Sequence, residues 1–227
     1  MARVDLARRA EIGRDRSART RAQLVAAARG LYAARPINQV TVDDVVAAAG
    51  VAKGTFYVHF DNLNDLQILV ADDLAREFDE LLQPRRLALD DPLERIAAGC
   101  GAFVVQALRD PAWGALVAHS AAAMPSVAGV PRKRLREDID RAVRNRQLNG
   151  VTADLAFDFA NAIVLHAMQT ASEKRKSAKQ ATAIVAGILR AIGVAPAKAA
   201  AVAVRATNSE QSQRQRPLKS GEQGYGG

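Results

Sequence analysis

One cysteine, Cys100, stands among 227 residues, so no internal disulfide can form and no thiolate metal site can be assembled. A reducing compartment, the cytoplasm, is the expected location. No apolar run approaches the ~20 residues that span a bilayer, and the arginine-rich start lacks the apolar stretch of a secretory signal, so a soluble chain with no membrane partner is expected. Aromatic residues are 4% of the chain and strand-type alternation is missing. With alanine and valine abundant and apolar positions recurring every three to four residues, the expected class is all-α. Chemistry is absent too. The chain has no glycine-rich phosphate loop, no Cys/His ligand spacing and no nucleophile elbow, and Asp72, Asp73, Glu77, Asp79 and Glu80 sit as a solvated helix face. No catalytic residue, no metal and no cofactor is expected, and an enzyme is disfavoured.

What is present is positive charge, unevenly placed. The formal charge is +8. Seven arginines against three acids fill residues 1–21, ten acids against three basic residues fill 61–94, and the sign turns again over 132–146. A basic arm leading into a helix suits contact with phosphates, and a merely solubilising tail is the plainer alternative.

The densest signal runs from Thr41 to Phe60, TVDDVVAAAGVAKGTFYVHF. Thr41 caps a helix with Asp44 three positions on, and Val42, Val45, Val46 and Ala49 repeat at i, i+3, i+4 and i+7. Gly50 supplies the left-handed residue that ends this helix. A second helix, about Ala52 to His59, turns Phe56 and Phe60 inward and leaves Lys53, Gly54, Thr55, Tyr57, Val58 and His59 on its other face. Two short helices joined through a glycine turn form the helix-turn-helix pattern, whose second helix enters the major groove of DNA. A hairpin whose Tyr57 and His59 only cap a core is the competing reading.

Context favours the first. Arg21, Leu24, Ala27, Ala28, Leu31 and Tyr32, then Thr41, Val42, Asp44 and Val45, then the run Ala49 to Phe60 closely resemble the TetR family of one-component transcriptional regulators over roughly the first third of the chain. The resemblance implies a DNA-binding set of Thr41, Val42, Ala52, Lys53, Gly54, Thr55, Tyr57, Val58 and His59, with Tyr57 and His59 on phosphates and Lys53, Gly54 and Thr55 nearest the bases. Ala52 stands where a serine-like cap is common, and Leu63 replaces a lysine that usually meets a phosphate. The implied partners are an operator duplex, a small-molecule effector and a second copy of the chain. An architectural DNA-binding protein without an effector is the alternative.

The expected plan is a three-helix DNA-binding head and a helical body for ligand binding and dimerisation, about nine helices in all. Its parts are a basic flexible arm (1–16), a head (17–62), a body (63–194) and a disordered tail (195–227). Helix 1 is expected to start near Ser17 and end before Pro36, and helix 4, the signalling lever, to run to about Leu82 before a loop around Pro84. Phe103, Trp113, Leu116, His119, Met124, Phe157, Asn161, Leu165, His166 and Met168 are candidate effector-binding residues, a mostly apolar set that suits an apolar or aromatic ligand. On the last two body helices the resemblance points to a dimer interface, with Ala156, Ala160, Val164, Ala167, Ala171, Ala181, Ile184, Val185 and Ile188 as its small and β-branched candidates.

Overall fold

The computed structural model describes residues 2–124, 127–171 and 178–212. Pro125 and Ser126, and the expected tail beyond 212, lie outside these residues. Among the described residues the regular elements are all helical: α1 (Ala2–Ala34), a 3-10 turn (Ile37–Gln39), α2 (Val42–Ala49), α3 (Lys53–His59), α4 (Leu63–Leu87), α5 (Pro92–Arg109), α6 (Pro111–Ala123), α7 (Gly129–Arg144), α8 (Ala153–Gln169), α9 (Ala178–Ala191) and α10 (Pro196–Ser212).

Local chemistry sets most of the helix starts. Asn62 accepts from the Asp65 amide at 3.0 Å, and Thr152 from that of Leu155 at 3.3 Å. Asp91 and Asp110 cap α5 and α6, each followed by a proline whose missing N–H costs nothing at the first helical position.

Beside a small third cluster of Val104, Ala167 and Ala181, two large cores share the chain. One joins α1, α2, α3, the first half of α4 and α6 around Leu24, Phe56, Leu66 and Val70; the other joins α5, α7, α8, α9 and α10 around Leu93, Ile96, Ile139 and Ile188. α4 belongs to the head at its start and packs on α5, α6 and α7 further along.

Three expectations are corrected. α1 begins at Ala2 and not near Ser17, because between them only Gly13 weakens an otherwise helix-favouring run. α4 continues through Pro84 to Leu87 and absorbs the expected loop. Arg85 donates to the Ala206 carbonyl at 2.9 Å and Arg86 pairs with Asp138, so tertiary contacts hold the turn that proline weakens. The chain after Gly193 is a tenth helix, not a tail from 195: Pro196 occupies its first position, and Ala199, Val202, Ala203 and Ala206 are buried at i, i+3, i+4 and i+7.

Candidate nucleic-acid interface and interior cavity

The head's outward face is built from its core. Phe56 and Phe60 are buried with ring centroids 5.6 Å apart, packed with Val45, Val46 and Leu24. Thr41 and Asp44 complete a capping box, the Thr41 amide donating to Asp44 at 2.9 Å and the Asp44 amide to the Thr41 hydroxyl at 3.2 Å. The Thr41 hydroxyl also donates to the Asp44 carboxylate at 2.7 Å, and this bond, first among its causes, holds the Asp44 carboxyl below its ordinary value. Gly50 closes α2 at φ 67°, and the Val51 amide returns to the Val46 carbonyl at 3.1 Å.

With Phe56 inside, α3 turns the rest of its surface out. Val58 is 78% and Tyr57 53% exposed, Lys53, Gly54 and Ala52 are open, and Thr55 and His59 are half-buried. Of the remaining candidates, Thr41 is exposed and Val42 half-buried at the start of α2. No side chain caps α3, where Ala52 stands. The Lys53 ammonium lies 2.8 Å from Asp43, whose hydrogen bond holds the ammonium pKa above its ordinary value. Nothing lies within 4 Å of where a Cβ on Gly54 would point, so a flat object can approach the backbone there.

The body encloses a cavity of about 70 Å³. Of the expected effector residues, Phe103, Asn161, Leu165 and Met168 line it. The others do not. Leu116 and Trp113 belong to the adjoining core, the indole 5.2 Å from Phe78 and 5.7 Å from Phe103. Phe157 lies beneath Arg132 and Arg136 at 5.3 and 5.8 Å. Met124 is exposed, as is His166 on α8. His119 borders a separate open groove between the end of α1 and α6.

Asp79, which the sequence pattern assigned to a solvated face, lines this cavity together with other charges. Asp79 on α4 and Asp138 on α7 are buried, and Arg86 and Arg95 meet them there. Arg86 pairs with Asp138 and approaches Asp79 at 3.9 Å, while Arg134 closes on Asp79 from α7. A buried ion pair is tolerated where each charge meets another, which is a three-dimensional condition. Cys100 also lines the cavity, and burial pushes its thiol up to about 12.

α4 ties cavity to head. At ~1.5 Å per residue its 25 residues extend about 37 Å. Asp79 and Arg86 sit at the cavity end. Asp72 accepts at 2.9 Å from the Ala128 amide, and Ala128 is a cavity-lining residue in the left-handed region at φ 57°. Toward the head, Glu77 receives both Arg29 nitrogens of α1 at 2.7 Å.

Of the dimer-interface candidates, Ala156, Ala160, Ala167, Ala171, Ala181, Val185 and Ile188 are buried within the single chain, while Val164 and Ile184 are half-buried against its cores. α8 turns Leu155, Phe159, Ala162 and His166 outward instead, a stripe at i, i+4, i+7 and i+11.

Comparison with known proteins bears on both regions. The profile of the bacterial regulatory proteins, tetR family, matches residues 24–67, which span α2, α3 and the start of α4. No curated protein matches the chain. Among solved structures, RolR in complex with resorcinol superposes with TM-score 0.74 at 28% identity, over 84% of this chain and 96% of that one. RolR without ligand gives TM-score 0.69 at 27% identity, over 87% and 97%. A TetR transcriptional regulator from Rhodococcus sp. RHA1 shares the fold at TM-score 0.52 and 22% identity, over 77% and 94%.

Proposed function

Because the chain is a TetR-family regulator, a DNA-binding protein and not an enzyme, we propose that it represses transcription as a homodimer on an inverted-repeat operator and is released by a small aromatic effector. The observation that carries this reading is the outward face of α3, where Lys53, Gly54, Tyr57 and Val58 are exposed while Phe56 anchors the helix from behind. Lys53, Tyr57 and His59 supply donors for phosphates. Gly54 lets the backbone approach, and the Thr55 and Val58 methyls suit the apolar edge of thymine.

One such helix covers one half-site, and reading both halves needs a second copy with recognition helices ~34–36 Å apart. The exposed apolar stripe of α8, Leu155 and Phe159 foremost, is the surface we assign to that pairing. Lys53 exchanges Asp43 for a phosphate on binding, an exchange between exposed groups that water makes inexpensive.

The cavity takes the effector. RolR's resorcinol complex supports a single-ring ligand, and Phe103, Ile96, Val117, Leu165 and Met168 supply the apolar walls for one. An effector shifts the regulator only by binding one body conformation better than another. α4 carries that difference to the head, since Asp79 and Arg86 line the cavity and Glu77 holds α1. Selection of bound duplexes from a random pool tests the reading. A recovered inverted repeat with two major-groove half-sites about one helical turn apart is expected; a recovered motif without dyad symmetry rejects it.

A further inference from the structure

The polar end of the cavity holds an unmet demand. Arg86 directs its outer nitrogens elsewhere: Nη2 donates to Asp138, and Nη1 lies 3.2 Å from the Gln83 amide, whose oxygen accepts once the amide is turned to face it. Its Nε–H is buried without an acceptor. A buried donor left unmet is costly, so one on a cavity-lining side chain invites an oxygen. Acceptors stand nearby: Asp79 Oδ1 is 3.9 Å from Arg86 Nη1, and Asp138 Oδ1 is 3.9 Å from Arg95 Nη1, both beyond hydrogen-bond reach. Opposite Arg86 lies Gly99, and a Cβ added there would meet only Arg86 Nε, at 3.9 Å. A methyl there would stand in van der Waals contact with that nitrogen.

Few groups satisfy a donor and a carboxylate acceptor together. An ether or ketone only accepts. A carboxylate only accepts, and leaves the aspartate oxygens without a donor. An ammonium only donates, and faces guanidinium. A hydroxyl does both, and a phenolic one, with an ordinary pKa near 10, stays neutral at pH 7. The remaining wall is mostly apolar, Arg132 and Asn161 apart, and about 70 Å³ is roughly half the ~150 Å³ that accommodates benzene, so the walls part for one ring and exclude two. Resting on the reading of this cavity as the effector site, we propose that the effector is a neutral single-ring phenol whose hydroxyl accepts from Arg86 Nε and donates to the free oxygen of Asp79 or Asp138.

Calorimetric titration of the full chain with phenol, resorcinol, toluene and benzoate tests this. Toluene has nearly the shape of phenol without its hydroxyl. Phenol is expected to bind at least tenfold more tightly than toluene, resorcinol at least as well as phenol, and benzoate least. Arg86→Lys keeps the charge but loses the Nε donor, and brings phenol down to the level of toluene. Gly99→Ala, which leaves every charge in place and favours helix, does the same by covering the donor. Should the lysine variant not fold, the alanine variant and the ligand series decide. Toluene matching phenol, or benzoate exceeding both, overturns the hydroxyl assignment while leaving the cavity as effector site. No binding by any of the four, in protein that still binds duplex DNA, overturns the cavity assignment and this inference with it.

Discussion

Substituting two valines of α10 separates a packed tenth helix from a solvated tail. Val202 and Val204 lie two residues apart, about 200° around the helix, and are 1% and 46% exposed. Val202 sits in the core that holds Leu93, Ile188 and Ile192. Val202→Ala removes two buried methyl groups, about 1.6 kcal/mol of transfer free energy at ~0.8 kcal/mol each, and the void left behind raises the loss to about 2–3 kcal/mol. For a chain of this size, ~2–4 °C per kcal/mol gives a fall in Tm of about 5–10 °C. Val202→Asp costs more, up to the free energy with which α10 docks, since beyond that point the helix detaches and the carboxylate returns to water. Val204→Asp alters an exposed position and shifts stability by about 0.5 kcal/mol or less. Thermal unfolding by circular dichroism at one protein concentration reads all three, the concentration being held because a dimer's Tm depends on it. Equal small shifts for Val202→Asp and Val204→Asp would refute the packing of α10 and its register.

Tyr57→Ala and Lys53→Ala weaken operator binding without moving Tm, and loss of the Lys53 charge lowers the salt slope by about one unit while loss of the neutral Tyr57 leaves it unchanged; fluorescence anisotropy from low to high salt measures both. Phe159→Arg gives monomers in sedimentation, whereas the buried Ala160→Arg unfolds the chain. At alkaline pH, burial holds both the Cys100 thiol and the Tyr32 phenol up at about 12, against ordinary values of 9.0 and 10.0. The unfolded chain therefore ionises first, and stability present below pH 9 is lost as pH rises toward 12, by about 1.4 kcal/mol per group and pH unit above each ordinary value. Cys100→Ala and Tyr32→Phe each flatten that limb in denaturant titrations, and an unchanged limb would contradict the burial argument.

Legibility followed the range of the interaction. Thr41, Gly50, Asn62, Pro92 and Pro111 act on backbone within four residues, so the starts of α2, α4, α5 and α6 and the turn before α3 are visible in the chain's own order. The outward set on α3 follows from Phe56 and Phe60 by helical periodicity alone. The cavity was half visible. Phe103, Leu165 and Met168 are apolar residues of body helices, but Asp79, Arg86 and Asp138 are charges that sequence rules send to solvent. Residues 52 positions apart, Arg86 and Asp138, meet only because α4 packs on α7. The small residues of α8 and α9 pack inside the single chain for a related reason. A helix with apolar side chains on two faces does not say which face meets its own chain; the packing of α8 on α5, α6 and α9 made that choice.

By itself, then, the order of residues determined the helical class, the capped turn and the surface that α3 offers to DNA, because caps, glycine turns and 3.6-residue periodicity are decided within a few residues. Tertiary structure alone decided that α4 runs through Pro84, that residues after Pro196 form a packed helix, and that buried arginines and aspartates meet at the cavity. Each of those depends on partners far along the chain, whose free energy outweighs the local preference for a break, a tail or a solvated face.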